Sequence, residues 1–252
     1  MYEGLSCFYD AMTEDIDYRR LSRFVDRTVS RSKAYKAYKK RGETPILLDA
    51  ACGTGSTISY LVQSGYDCIG LDISDEMLDQ AKCNVPDSRV LWICQDMCKM
   101  DLFGSVTGIC CLTDSVNHVL SERALQGFLN RAHNFLDPGG VLLFDVLTEA
   151  HFTRQGTQMH CFADYETISC FWTGTYDPAK RRCTYDISCF IQEEDGRYTR
   201  TDDRVVERVW LPEELGKMLE NAGFAKVRVL SGQDVPVGRT GQNRLYYICE
   251  KD

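Results

Sequence analysis

An apolar run that ends in an acid, turns on two closely spaced glycines and passes into a helical pattern constrains this chain more than any other feature. It is Ile46-Leu-Leu-Asp-Ala-Ala-Cys-Gly-Thr-Gly-Ser-Thr-Ile-Ser-Tyr60. Nineteen residues after Gly53, a second apolar run, Cys68-Ile-Gly-Leu-Asp72, also ends in a carboxylate. Strand, glycine turn, helix and acid-ended strand together describe a nucleoside pocket. The glycines admit a ligand close to the backbone, and the acid accepts hydrogen bonds from both ribose hydroxyls. A dinucleotide fingerprint wants a third glycine where this chain has Ile58. A phosphate-cradling loop needs a lysine after the glycines, and none follows. A nucleoside without phosphates remains.

Further motifs follow in order. After Asp49-Ala-Ala-Cys-Gly-Thr-Gly55 come Leu71-Asp-Ile-Ser-Asp-Glu-Met-Leu-Asp-Gln-Ala81, Gln95-Asp-Met97, Leu112-Thr-Asp-Ser-Val-Asn117 and Leu136-Asp-Pro-Gly-Gly-Val-Leu-Leu-Phe-Asp145. This series, from roughly residue 46 to 147, resembles the motifs of the class I S-adenosylmethionine-dependent methyltransferases, in a subgroup with a β-rich lobe inserted after the fifth strand. The resemblance implies an α/β fold: a doubly wound, seven-stranded, mostly parallel sheet, Rossmann-like, carrying an inserted antiparallel β lobe. It implies S-adenosylmethionine as cofactor and S-adenosylhomocysteine as product.

The resemblance also assigns roles. Asp72 takes the two ribose hydroxyls, which suits a carboxylate with two acceptor oxygens in one plane. Met77 lies against adenine, Asp96 accepts from its amino group, the Met97 backbone N–H donates to a ring nitrogen, and Ile73 is a further cofactor contact. Gly53 and Gly55 let the backbone lie against the methionyl part, Ala51 and Thr113 are further cofactor contacts, and Asp49 braces the glycine loop. Tyr9-Asp10 resembles an N-terminal Tyr-Asp pair whose aromatic ring covers the cofactor.

Residues 8 to 41 read as helical, with Ile16, Leu21, Phe24, Val25 and Val29 at three- and four-residue intervals. Strands are expected at 46–50, 68–72, 90–94, 107–112 and 140–145. Helices are expected near 56–64, 75–83 and 121–135, with Ser74 and Ser121 as N-caps. That alternation gives a parallel sheet covered on both faces. From His160 to Val209 the residues turn aromatic and β-branched, with turns at Asp177-Pro178 and Glu194-Asp-Gly196. A helix at 212–222, a strand at 225–230 and a last strand at 244–250 complete the pattern. The organisation expected is a helical cover (1–45), a cofactor-binding α/β domain (46–150), an inserted β-meander serving as substrate lid (151–209) and a C-terminal completion of the sheet (210–252). Because the insertion follows a strand whose end, Asp145, lies at the carboxyl edge, the lobe should stand over that edge and roof the acceptor pocket.

The acceptor leaves a fainter trace. His118 follows the fourth strand and is the candidate general base, since its reference pKa lies near neutrality. Asn117 is a candidate substrate contact. Arg204, Glu207 and Arg208 cluster where the lobe rejoins the core; they either bind a charged substrate or pair with one another. An anionic acceptor held by Arg204 or Arg208 is the sharpest form of that idea. Asp114-Ser-Val-Asn117 is neither the Asn-Pro-Pro-Tyr type of motif used on adenine amino groups nor a Pro-Cys nucleophile.

A net charge of −8 also argues against a polyanionic partner, although Arg31-Ser-Lys-Ala-Tyr-Lys-Ala-Tyr-Lys-Lys-Arg41 is basic. The favoured function is methyl transfer to an oxygen or nitrogen of a small polar molecule. The rivals are an RNA methyltransferase and a non-catalytic cofactor-binding regulatory module. Thirteen cysteines show no metal-ligand spacing and no export signal precedes them, so reduced structural thiols and no metal are expected. No apolar stretch approaches the roughly 18 to 20 residues of a membrane span, which points to a cytoplasmic protein without a membrane partner. Oligomeric state leaves no sequence signal.

Overall fold

Apolar residues run without interruption through the central strands because the sheet is buried on both faces. The computed structural model describes residues 9, 13, 16–154, 158–235 and 243–252. Its main sheet holds β1 (Ile46–Ala50), β2 (Asp67–Asp72), β3 (Val90–Cys94), β4 (Val106–Cys111), β5 (Leu136–Leu147), β10 (Lys226–Ser231) and β11 (Arg244–Glu250), in the order β10-β11-β5-β4-β1-β2-β3. β11 runs antiparallel to both neighbours; the remaining pairings are parallel. Successive residues serve opposite faces, as the period of a strand demands. Leu48, Ile109, Leu142, Phe144 and Tyr247 pack on one side with α5 (Glu122–Phe135) and α7 (Pro212–Ala222). Leu47, Cys110, Val141, Leu143 and Tyr246 pack on the other with α1 (Tyr18–Val29), α3 (Ser56–Gln63) and α4 (Asp75–Asn84).

The helix ends follow the expected chemistry. The Ser74 and Ser121 hydroxyls accept the backbone N–H groups of Met77 and Ala124, and Pro212 and Gly223 bracket α7. The N-terminal helical stretch is not continuous. After α1 the chain turns at Ser30 to Ser32, and Ser32 caps a separate α2 (Lys33–Arg41) by accepting the Tyr35 N–H. Serine offers the backbone a competing partner, and three-residue periodicity does not register that.

The inserted segment forms a second sheet, β6 (Gln158–Asp164), β7 (Ile168–Asp177), β8 (Arg182–Gln192) and β9 (Tyr198–Arg208), antiparallel throughout. A short helix α6 (Glu149–Thr153), unanticipated from sequence, leads from β5 into it. The expectation that the cysteines are reduced fails at one pair. Cys170 and Cys189 stand directly opposite on β7 and β8, with Cα atoms 4.2 Å apart, and form a disulfide. Only the register reveals this, since 19 residues separate them in sequence. The other ten described cysteines are free. Among the described residues, no helix is long and apolar enough to cross a membrane.

One close contact carries a prediction. Trp92 of β3 leans across Gly70 of β2, where an added Cβ would overlap the indole ring and stand 2.9 Å from Ile58 Cδ1. Overpacking of this kind costs about 1–3 kcal/mol, or roughly 2–12 °C in Tm for a chain of this size. Gly70→Ala should therefore lower Tm, and Trp92→Leu should erase most of that loss in the double variant. An unchanged Tm in Gly70→Ala refutes the packing.

Candidate active site

Strands β1 and β4 lie side by side, yet their connections leave in opposite directions, so a crevice opens beyond their carboxyl ends. Each strand sends its following residues into it. Ala51, Cys52, Gly53 and Thr54 come after β1, Ile73 and Ser74 after β2, Gln95, Asp96 and Met97 after β3, and Leu112, Thr113 and Asp114 after β4. Tyr9 closes the open side: a Cβ on Gly53 would meet Tyr9 Cε1 at 3.7 Å. The backbone turns tightly here, with positive φ at Ala51 (66°), Gly53 (53°), Thr113 (57°) and Asp114 (59°). For the non-glycine residues that conformation is uncommon and tends to mark functional loops.

Asp72 holds the crevice together. Its Oδ2 accepts the Gly53 N–H at 2.8 Å, and its Oδ1 accepts the Ser74 N–H at 3.0 Å. One carboxylate thus fixes the glycine turn and the start of α4, and each oxygen keeps lone-pair capacity for a ligand. Burial pushes its carboxyl up, while the N–H donors of Ser74, Gly53 and Ile73 pull it back. Ile73 is 63% exposed although apolar, and it faces the crevice opposite the buried Met77. Asp96 lines the crevice while its Oδ1 caps a 3-10 turn, Met97–Lys99, through the Cys98 N–H.

Several candidate residues sit elsewhere. Gly55 does not line the crevice. At φ 80° it begins α3, and a Cβ would stand 2.9 Å from Trp92 Cη2, so its smallness serves packing. Asn117 is fully buried; its amide bonds Leu147 N–H and C=O and the Arg208 C=O, which makes it a strut rather than a ligand contact. Arg204 is exposed and paired with Asp186 at 2.6 Å. Arg208 stacks 3.9 Å over Trp210 and bonds Glu122. Neither arginine lines the crevice or the cavity beneath the lobe, so the structure does not bring them together with that site as an anion clamp. The cause is strand alternation: Val205 and Glu207 face inward along β9, and Arg204 and Arg208 face away. Asp10 lies outside the described residues.

A second cavity lies between the lobe and the carboxyl edge. Tyr9, Thr113 and Asp114 line both it and the crevice, so the two adjoin. The lobe contributes Met159, Trp172, Tyr185 and Glu207, and Arg154, His151 and Arg244 complete the wall. Sequence reasoning did not find Arg244, which is only 7% exposed and bonds Asp114 at 2.6 Å and the fully buried Asp145. His118 faces the crevice, with Nε2 3.7 Å from Glu207 Oε1. Burial pushes His118 down, and Asp114 opposes the change. Burial thus favours its neutral imidazole form. Asp114, His118 and Glu207 present ligand-type atoms within 4.8 Å of one another. Arg244 already places a cation on Asp114, so a metal ion there would meet like charge.

Asp49 lines the crevice floor at 4% exposure. Burial pushes its carboxyl up to about 7; Asp72 adds to the rise and a bond with the Cys110 thiol opposes it. A folded-state value above the unfolded one makes the protonated form the stable one. Its stabilising contribution is full below the ordinary aspartate range and is lost as pH rises to about 7. Asp49→Asn should then stabilise the ligand-free protein at pH 8, by about 4 kcal/mol at most, with the gain shrinking as pH falls toward 4. Urea unfolding at several pH values measures this. No gain at pH 8 refutes the buried-acid account.

Comparison with known proteins agrees with this geometry. A methyltransferase-domain family matches residues 47–140, which span the glycine turn and β1 through the start of β5. A protein of Geobacillus sp. (strain WCH70), provisionally named a methyltransferase, is 26% identical over 258 residues and 99% of each chain. An S-adenosylmethionine-dependent methyltransferase from Clostridium acetobutylicum ATCC 824 superposes with a TM-score of 0.77 at 21% identity, over 99% of this chain and 98% of that one. CalS10 of Micromonospora echinaspora, an amino pentose methyltransferase solved with S-adenosylmethionine bound, gives 0.72 at 18% identity, over 97% and 96%. The solved structures show the fold, β lobe included. Together with the domain match and a relative similar from end to end, they support a class I S-adenosylmethionine-dependent methyltransferase.

Proposed function

We propose that the enzyme methylates an oxygen or nitrogen of a small polar molecule held in the cavity beneath the β lobe. The carrying observation is that this cavity and the crevice share Tyr9, Thr113 and Asp114, so an acceptor under the lobe reaches the cofactor without crossing solvent. Closure of this kind favours a molecule small enough to be surrounded. CalS10 is named for an amino pentose, an acceptor of that size.

The crevice fits the cofactor on its own chemistry. Asp72 has acceptor capacity left for two hydroxyls, Ile73 and Met77 offer apolar surface for a flat base, and the backbone at Gly53 is open to close approach. In this reading Asp96 and the Met97 N–H hold the adenine edge, Ala51 and Thr113 border the amino-acid end, and Tyr9 covers the whole. S-adenosylmethionine supplies a methyl group already activated by its positive sulfur. The protein's own work is then to position the acceptor, exclude water and take up a proton where one must leave. His118 is our candidate for that last task, supported by its position in the crevice wall 3.7 Å from Glu207 of the lobe cavity. Arg154 takes over the anion-binding role, since it lines the lobe cavity where Arg204 and Arg208 do not.

An RNA acceptor has less support. Arg31, Lys33 and Lys36 of the basic stretch line a separate groove with Lys226 and Arg228, and that groove shares no residue with the crevice or the lobe cavity.

Replacing Asp72 tests the cofactor assignment. Two charge-assisted hydrogen bonds at roughly 1.5–3 kcal/mol each, not fully additive, put the loss near 3 kcal/mol, or about a hundredfold in affinity. Asp72→Ala should weaken S-adenosylhomocysteine by that factor in calorimetry, and a change under about threefold would sink the assignment. The carboxylate must be ionised to accept both hydroxyls, and its value lies above the ordinary aspartate range. Wild-type affinity should therefore fall in mild acid, sooner than an unperturbed aspartate would allow.

A further inference from the structure

Among the described residues of the lobe, Glu207 is the one whose placement calls for a ligand. It is 6% exposed, yet it projects from β9 into the lobe cavity. One oxygen stands 3.7 Å from His118 Nε2, and the other, Oε2, has no hydrogen-bond partner. A buried acid left half-satisfied is costly, and cores seldom keep one without a use. The nearby cation, Arg244, hydrogen-bonds Asp114 and Asp145 and acts on Glu207 through its charge alone, opposing the effect of burial. The aromatic rings of Trp172 and Tyr185 line the same space. Buried carboxylate and aromatic faces together suit an alkylammonium ion, through ion pairing and attraction of the cation to the rings.

We propose that Glu207 seats the acceptor as a protonated amine, so that the methyl group goes to nitrogen rather than to a hydroxyl. The proposal rests on the reading that the acceptor occupies the lobe cavity, and it names the acceptor's chemical class. A hydroxyl would give Glu207 a hydrogen bond but no counter-charge, whereas an ammonium ion supplies both. Burial pushes the Glu207 carboxyl well up; the negative charge of Asp114 adds to this and the Arg244 guanidinium opposes it. Binding a cation reverses that preference, and the acid releases its own proton to solvent as the ammonium ion enters. The amine enters with one proton too many to act as a nucleophile. That proton passes from nitrogen to Nε2 of neutral His118, which leaves the nitrogen lone pair free. His118 then returns the proton to solvent as the site opens. Glu207 stays ionised throughout and faces first the ammonium ion and then the imidazolium.

The test uses the full chain saturated with S-adenosylhomocysteine and three probes of matched shape: cyclohexylamine, cyclohexanol and cyclohexanecarboxylate. Binding is followed by calorimetry and by tryptophan fluorescence from Trp172, with Trp172→Phe as the control for signal origin. Cyclohexylamine should bind best, and Glu207→Gln should weaken it at least tenfold while S-adenosylhomocysteine affinity is retained. Glu207→Asp keeps the charge and should recover part of the loss. If Glu207→Gln does not fold, the preference of the wild-type protein among the three probes still decides. Equal or tighter binding of cyclohexanol or the carboxylate overturns the amine assignment but leaves the lobe cavity as the acceptor site. No binding by any probe overturns both. A titration with Mn²⁺ that saturates and is abolished by Glu207→Gln would assign the acid to a metal instead, and would overturn the proposal.

Discussion

A buried ring of charge at the carboxyl edge sets the geometry on which both cavities depend. Asp145, fully buried at the end of β5, accepts the Asp114 N–H at 3.1 Å and a guanidinium N–H of Arg244. Arg244 closes the ring onto the Asp114 carboxylate. Three chain segments far apart in sequence are joined, and the joint fixes Thr113 and Asp114 in their left-handed conformation. Such a network is no proof of stability, since well-packed apolar residues often do as well. Its value lies in exactness of placement: removing one member strands the others, at about 3–5 kcal/mol. The loop it holds is where crevice and lobe cavity meet.

That loop is clamped from other sides too. The Asn117 amide ties the turn after β4 to Leu147 of β5 and to the Arg208 carbonyl of β9. Trp210, nearly fully buried just beyond the lobe, donates its indole N–H to the Val116 carbonyl. The lobe is thus anchored at its root to the turn whose neighbouring residues, Ser115 and His118, border the cofactor crevice. Rigid support around a reacting centre is what a displacement driven by proximity needs, because small errors of placement cost rate directly.

Much of the cofactor half was legible in the sequence because its residues are local. Asp72 and Gly53 are joined by one carboxylate across a single strand–turn–helix unit, and Ser74 caps the next helix from within the same motif. The acceptor half was not legible, for a physical reason. In Thr201-Asp-Asp-Arg-Val-Val-Glu-Arg208 polar residues fall on both faces of β9, so alternation cannot say which side is buried. Arg204 and Arg208 looked like the functional groups, and Glu207 between them proved to be the one facing the cavity. Arg244 reads only as the polar start of a strand until its partners, 99 and 130 residues earlier, are brought beside it. Gly55 belonged to the right motif and yet serves Trp92.

The division of labour follows from where each half keeps its apolar core. The lobe has its own clusters, one around Ile168, Ile187 and Val205 with the Cys170–Cys189 bridge, and one joining Phe152, Met159 and Tyr176 to Leu147. Substitutions on its inner face can therefore alter the cavity without disturbing the two cores of the main sheet. The constraint runs the other way at β9, where Glu207 meets His118 and Asn117 bonds the backbone of Arg208. Recognition is free to vary along β6, β7 and β8. At the end of β9 it is tied to the residues beside the crevice, and the buried acid of the lobe sits there.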